Sequence, residues 1–257
     1  KMPDSSGLHL RECMKAILIR CRSPKKRRIT AFDRPSQKRG DLMLDRRWLA
    51  AVAAGWFLLG LVRAGAAVES GEELLVWMLL QQLWLIVGSW LAVRQASILR
   101  WDTRDIAQGA LVGVGLFAAT SVLNLVTIVG LSLLFPEARV QQWLLNERSG
   151  IDMLLGIENA AKFCLAAAAI TLGASVSEEL FFRGAILTAL CQVMPVKWAV
   201  FLGALVFACV HFYLIQFIPV LLSGIALGYL YLKRKNLSAS ITAHLVVNAL
   251  ALAAQVL

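Results

Sequence analysis

Between Trp198 and Leu232 the chain runs for 35 residues without one Asp, Glu, Lys or Arg. Six further charge-free stretches fall at 48–62, 74–93, 106–136, 163–177, 184–196 and 236–257. A helix needs about 20 apolar residues to cross a hydrocarbon core ~30 Å thick, and backbone amides in lipid must be satisfied within the segment. The chain as a whole is 59% hydrophobic and 16% charged, with a mean hydropathy of +0.69. Soluble domains run nearer about 45–50% and about 25%. These values exclude a disordered chain, a disulfide-stapled secreted domain and an ordinary cytosolic globule. The expected fold class is all-α, a polytopic membrane helix bundle of about seven transmembrane helices, within a range of six to eight.

Span boundaries follow from the charges and breakers. The 35-residue run is too long for one span, and Gln216 and Pro219 mark its break. The runs at 163–177 and 184–196 are each too short alone and have no turn signal between them, so they read as one helix from about Asp152 to Gln192 with charges at mid-depth. Met194-Pro195 ends it. Three regions result: a basic tail over 1–47, N-terminal transmembrane helices over 48–150, and a C-terminal helix bundle over 151–257.

The formal net charge of +10 resembles a nucleic-acid signal, but residues 1–47 hold 14 Lys+Arg against 5 Asp+Glu, and the rest is nearly neutral. With the tail inside, 21 of the Lys and Arg residues lie in inside segments and only Arg139 and Arg148 outside. That is the positive-inside pattern. It predicts a cytoplasmic N-terminus and membrane lipid as partner, with no nucleic acid. The tail has no apolar h-region followed by a cleavage site, so no signal peptide is expected. Five cysteines, an odd number with no C-x-x-C spacing, read as small buried hydrophobes.

Charges inside a span cost about 2.5–3.5 kcal/mol each on insertion scales and mark function by default. Glu179 and Arg183 stand four apart and can pair along one helix face, leaving Glu178 about 100° away without a local partner. Such a carboxylate is a candidate proton acceptor. Glu178 lies 14 residues before Gln192, and His211 lies 14 residues after Lys197. Two antiparallel helices joined by that turn would hold both roughly 21 Å from it. His244 and Asn248, again four apart, share a face of the last span; they suit either an oxyanion site or interhelical hydrogen bonding. Glu158 and Lys162 read as a structural pair.

Taken in order on apolar helices, E-E-x-x-x-R at Glu178–Arg183, F-x-x-x-H at Phe207–His211, H-x-x-x-N at His244–Asn248 and the Phe-Arg-Gly at Phe182–Gly184 resemble the CPBP (Abi) family. That family contains the type II CAAX prenyl endopeptidases and bacteriocin self-immunity proteins. The resemblance covers about Phe163 to Leu257. It implies an intramembrane endopeptidase acting on a membrane-associated, apolar or prenylated protein or peptide. Glu178 with His211 would activate a water, His244 with Asn248 would stabilise the oxyanion, and Glu179 and Arg183 would support the site. It also implies a multi-pass protein of a bacterial plasma membrane, an organelle membrane not being excluded. A divalent metal such as zinc is an open possibility: Glu178, His211 and His244 could ligate it with one position open, and a metal-free glutamate base is equally compatible. The rival functions are a non-catalytic membrane scaffold or self-immunity protein of the same fold, and a transporter with a buried carboxylate relay. No inverted repeat supports the transporter.

Overall fold

The computed structural model describes residues 46–93 and 99–256. Most of the 1–47 tail therefore lies outside the described residues. Among those described the structure is all-helical: α1 (Arg46–Gly65), α2 (Gly71–Val93), α3 (Thr103–Leu134), α4 (Glu137–Leu155), α5 (Ala160–Val193), α6 (Val196–Cys209), α7 (Phe217–Arg234) and α8 (Leu237–Val256). Six of these, α1, α2, α3, α5, α7 and α8, are long and apolar enough to cross a membrane. α6 is apolar but only 14 residues long.

Helix starts follow local chemistry. The Asp102 side chain caps α3 by accepting from the Arg104 amide at 2.8 Å, and Asn159 caps α5 by accepting from the Lys162 amide at 3.1 Å. Pro136 and Pro195 immediately precede α4 and α6. Pro219 stands in the first turn of α7, where the missing amide costs nothing.

Three sequence expectations need correction. The Asn159 cap starts α5 at Ala160, so residues 152–155 end a separate helix. That helix, α4, fills most of the stretch between spans that the sequence reading treated as an outer loop; it carries Glu137, Arg139, Glu147, Arg148 and Asp152, too polar to register as a span. Because Glu158 precedes the cap, it is not one helical turn from Lys162, and Lys162 pairs instead with Glu72 of α2 at 2.6 Å. Cys164 and Cys209 are exposed on the outer faces of apolar helices, not buried, and Cys191 is half-buried.

Met194 and Val196 pack with Leu99 and Leu237 in one apolar cluster, gathering the basic loop ends at one end of the bundle. A buried polar clasp fixes the same end. Asn236, fully buried, donates to the Arg100 carbonyl and to Asp105 Oδ2, both at 2.6 Å, and accepts from the Arg100 amide at 3.0 Å. Asp105 also pairs with Arg234. Above the clasp, α3 lies against α8 through two glycines one turn apart. A Cβ at Gly109 would sit inside contact distance of the Ala239 carbonyl oxygen, and one at Gly113 would stand 2.6 Å from that of Ala243. Small residues of this kind let backbones approach in lipid, where dispersion drives association.

This packing sets the position of the helix that bears His244, and it is testable. Gly109→Ala and Gly113→Ala should each cost about 1–3 kcal/mol by overpacking. Gly115→Ala, with nothing within 4 Å of its Cβ, should lose no stability. Thermal melts of the purified protein in detergent measure all three.

Candidate active site

α5 is one continuous helix of 34 residues, but it is not regular. Two segments, Ala169–Gly173 and Glu179–Leu187, are π-helical, and Glu178 ends the short α-helical piece between them. A π turn adds a residue to each hydrogen-bonded ring, turns the following side chains out of α register and leaves carbonyls to be satisfied from elsewhere; such turns are frequent at functional sites. Here the partners come from neighbouring helices. Gln82 of α2 donates to the Ala169 carbonyl at 2.9 Å, and Asn248 of α8 donates to the Ile170 carbonyl at 3.2 Å. Gly173 makes room for the first of these, since a Cβ there would collide with the Gln82 amide. Gln82 went unnoticed in the sequence, although a glutamine in the middle of an apolar span was a signal in plain view.

Next to Glu178 lies a fully buried ion pair. Glu179 Oε1 accepts from Arg183 at 2.7 Å and faces His244 Nδ1 at 3.0 Å. Arg183 also donates to the Gly224 carbonyl of α7 at 3.3 Å and stands 4.4 Å from the centre of the Phe207 ring. Phe207 touches both histidines edge-on, at 4.7 Å from His211 and 6.0 Å from His244. One aromatic ring of α6 thus packs against the arginine and both imidazoles.

The structure brings Glu178, His211 and His244 together. Glu178 Oε2 is 4.0 Å from His211 Nε2 and 3.9 Å from His244 Nε2. The equal spacing of Glu178 and His211 from the α5–α6 turn has the expected geometric result. Both histidines have the other ring nitrogen occupied: His211 Nδ1 lies 2.6 Å from the Phe207 carbonyl, and His244 Nδ1 meets the Glu179 carboxylate. Carbonyl and carboxylate oxygens accept, so each Nδ1 carries the hydrogen, and in its neutral form each ring presents a lone pair at Nε2. Glu178 Oε2 is buried with no hydrogen-bond partner. Glu178 Oε2 therefore stands about 4 Å from both Nε2 atoms with no hydrogen-bond partner of its own, and the Glu178 and His211 side chains keep 23% exposure. An arrangement of this kind calls for a donor or a cation at its centre.

Asn248 is not seen with these three; its amide nitrogen is engaged on the Ile170 carbonyl. Two imidazole nitrogens and a carboxylate are zinc-type donors, yet ligands of a tetrahedral zinc stand about 3.3 Å apart, closer than the 3.9 and 4.0 Å here. Among the described residues no group of three or more His, Cys, Asp or Glu is arranged to hold a metal ion. The spacing does not fit a metal without closing, and no step below uses one.

Of the aromatics near the site, Phe181 and Phe182 are buried packing residues, whereas Phe212 is exposed. Tyr213, in the connection between α6 and α7, lies 5.5 Å from the His211 ring. Burial and the carboxylates of Glu178 and Glu147 push its hydroxyl pKa up, which keeps it protonated.

Residues 160–250 match a family model described as type II CAAX prenyl endopeptidase Rce1-like. This segment is similar to the Rce1-like family. The match begins at the first residue of α5 and takes in Glu178, Glu179, Arg183, His211, His244 and Asn248. The similarity, together with six helices apolar enough to cross a membrane, supports a multi-pass membrane protein related in general terms to CAAX-type intramembrane proteases. No curated protein and no solved structure matches the chain.

The buried pair at the heart of the Rce1-like segment gives a stability test. Removing one partner of a buried ion pair strands the other charge and typically costs about 3–5 kcal/mol. Arg183→Met should therefore destabilise strongly, and the double variant Glu179→Gln/Arg183→Met should recover a large part of the loss. Melting temperatures of the two variants in detergent decide it.

Proposed function

We propose that this protein is an intramembrane endopeptidase that hydrolyses a peptide bond of a membrane-associated protein or peptide bearing an apolar or prenyl group. The observation that carries the reading is the approach of Glu178 Oε2 to within about 4 Å of both His211 Nε2 and His244 Nε2 inside an apolar bundle. A water beside Glu178 has two hydrogens, one for Glu178 and one for His211, which leaves His244 for the oxyanion. Glu178 takes one as the water oxygen attacks the scissile carbonyl and passes it to the departing amine. His211 holds the other and fixes the direction of attack.

The oxyanion needs donors. His244 can give one from Nε2 only as the imidazolium, because its Nδ1 hydrogen is committed to Glu179. Asn248, one turn further along α8, has a second amide hydrogen to offer. Glu179 and Arg183 act through His244 by holding its ring. A non-catalytic scaffold or immunity protein has no use for a Glu178 oxygen left without a donor beside two imidazoles, so that alternative is disfavoured. The charge bias of the loops supports a cytoplasmic N-terminus, in our reading in the plasma membrane of a bacterium.

Turnover of a farnesylated CAAX peptide by the protein in nanodiscs tests this. Glu178→Gln should abolish cleavage in a folded protein, since a glutamine keeps the volume and takes no proton. Asn248→Ala should lose about 10²–10³ in rate, the usual cost of one oxyanion donor, and the double variant should be no worse than Glu178→Gln alone. Retained cleavage in Glu178→Gln would remove the base from the scheme.

A further inference from the structure

Outside the Rce1-like segment, one side chain reaches into the connection that carries His211. Glu147, midway along α4, accepts from the amides of Leu214 and Ile215 through Oε1 at 2.6 and 2.7 Å, and from the amide of Gln216 through Oε2 at 3.3 Å. These amides lead into α7, whose N-cap Gln216 makes no side-chain capping bond. A carboxylate 67 residues away in sequence from Leu214 thus clamps the connection just ahead of the helix, with charge-assisted bonds that are the stronger kind.

The stretch so held has little else to fix it. His211 and Phe212 close the end of α6 with amide bonds to the Ala208 and Cys209 carbonyls at 3.3 and 3.2 Å. Phe212 sits at φ 55°, a left-handed conformation unfavourable for a phenylalanine, and is 87% exposed. Ile215 is the buried anchor. On the other side of the clamp, α4 is firmly seated. Leu154 and the following Ile157 are buried with Leu74, Leu75, Ala166 and Ala169, and Gly71 admits the Met153 carbonyl against the start of α2.

We propose that Glu147 is a positioning residue for His211, and that α4 is a strap which fixes the α6–α7 connection over the site. By holding the amides of residues 214–216, the strap sets the distance between His211 Nε2 and Glu178. The inference rests on the endopeptidase reading for its consequence in turnover, but the clamp itself is readable without it.

The experiment uses the full chain in nanodiscs, with Glu147→Gln, Glu147→Ala and, as control, Arg148→Ala, whose side chain pairs with Asp152 at the surface. Amide hydrogen exchange across residues 210–217 is measured beside kcat and KM on a farnesylated CAAX peptide. Glu147→Ala should speed exchange of the 214–216 amides by about tenfold or more. It should also lower kcat by about 10–100-fold through misplacement of His211, with KM within about twofold. Glu147→Gln keeps one accepting oxygen and should fall between, which covers the case where the alanine variant folds poorly. Arg148→Ala should change neither readout. Unchanged exchange in Glu147→Ala overturns the clamp. Faster exchange with unchanged kcat overturns the positioning role, as does a fall in kcat matched by an equal rise in KM. A wild-type protein that cleaves nothing defeats the endopeptidase reading instead, and the exchange measurement still decides the clamp.

Discussion

A carboxylate buried in an apolar bundle must be paired, and Glu179 meets that requirement in a way that organises everything around it. One oxygen takes both Arg183 and His244. Through Arg183 it fixes α7 at the Gly224 carbonyl and α6 at the Phe207 ring; through His244 it fixes α8. Four helices are thereby oriented about one point by bonds that lipid cannot replace. The same pairing settles which nitrogen of His244 bears the hydrogen, and so which faces Glu178. The Glu178 site is in this sense a consequence of the Glu179 pair next to it.

The irregularity of α5 is the second requirement. A straight α-helix of 34 residues would satisfy its own carbonyls and offer neighbours nothing polar to hold. The π turn at Ala169–Gly173 presents two carbonyls, and Gln82 of α2 and Asn248 of α8 take them. Asn248 thus has a packing duty whatever its part in chemistry. The two readings of that residue, oxyanion donor and interhelical bond, are compatible because a carboxamide has two hydrogens.

Much of this was legible in the chain, and the rest was hidden for identifiable reasons. Charge-free runs locate spans because lipid leaves few alternatives, and the fusion of 163–177 with 184–196 into α5 follows from the absence of any turn residue between them. The approach of Glu178 and His211 was visible as equal counts from a tight turn. α4 was not, because its buried contacts, among them Val140 and Leu154, are spread along a polar helix that matches no span. The mispairing of Lys162 turned on one residue: Asn159 starts the helix, and so removes Glu158 from it. Glu147 gave no signal, since nothing in a sequence shows that a carboxylate clamps the backbone of a distant connection. The exposure of Cys164 and Cys209 shows how composition misleads in an apolar bundle, where small apolar side chains face outward as readily as inward.

The geometry at Glu178 has one direct measurement. In an experimental structure of the wild-type protein fine enough to show ordered solvent, the space between Glu178 Oε2, His211 Nε2 and His244 Nε2 should hold a single water within about 3 Å of all three. Density there at about 2.1 Å from the nitrogens, with anomalous signal, would make the centre a metal site, and a His211 ring turned away from Glu178 would contradict the convergence itself.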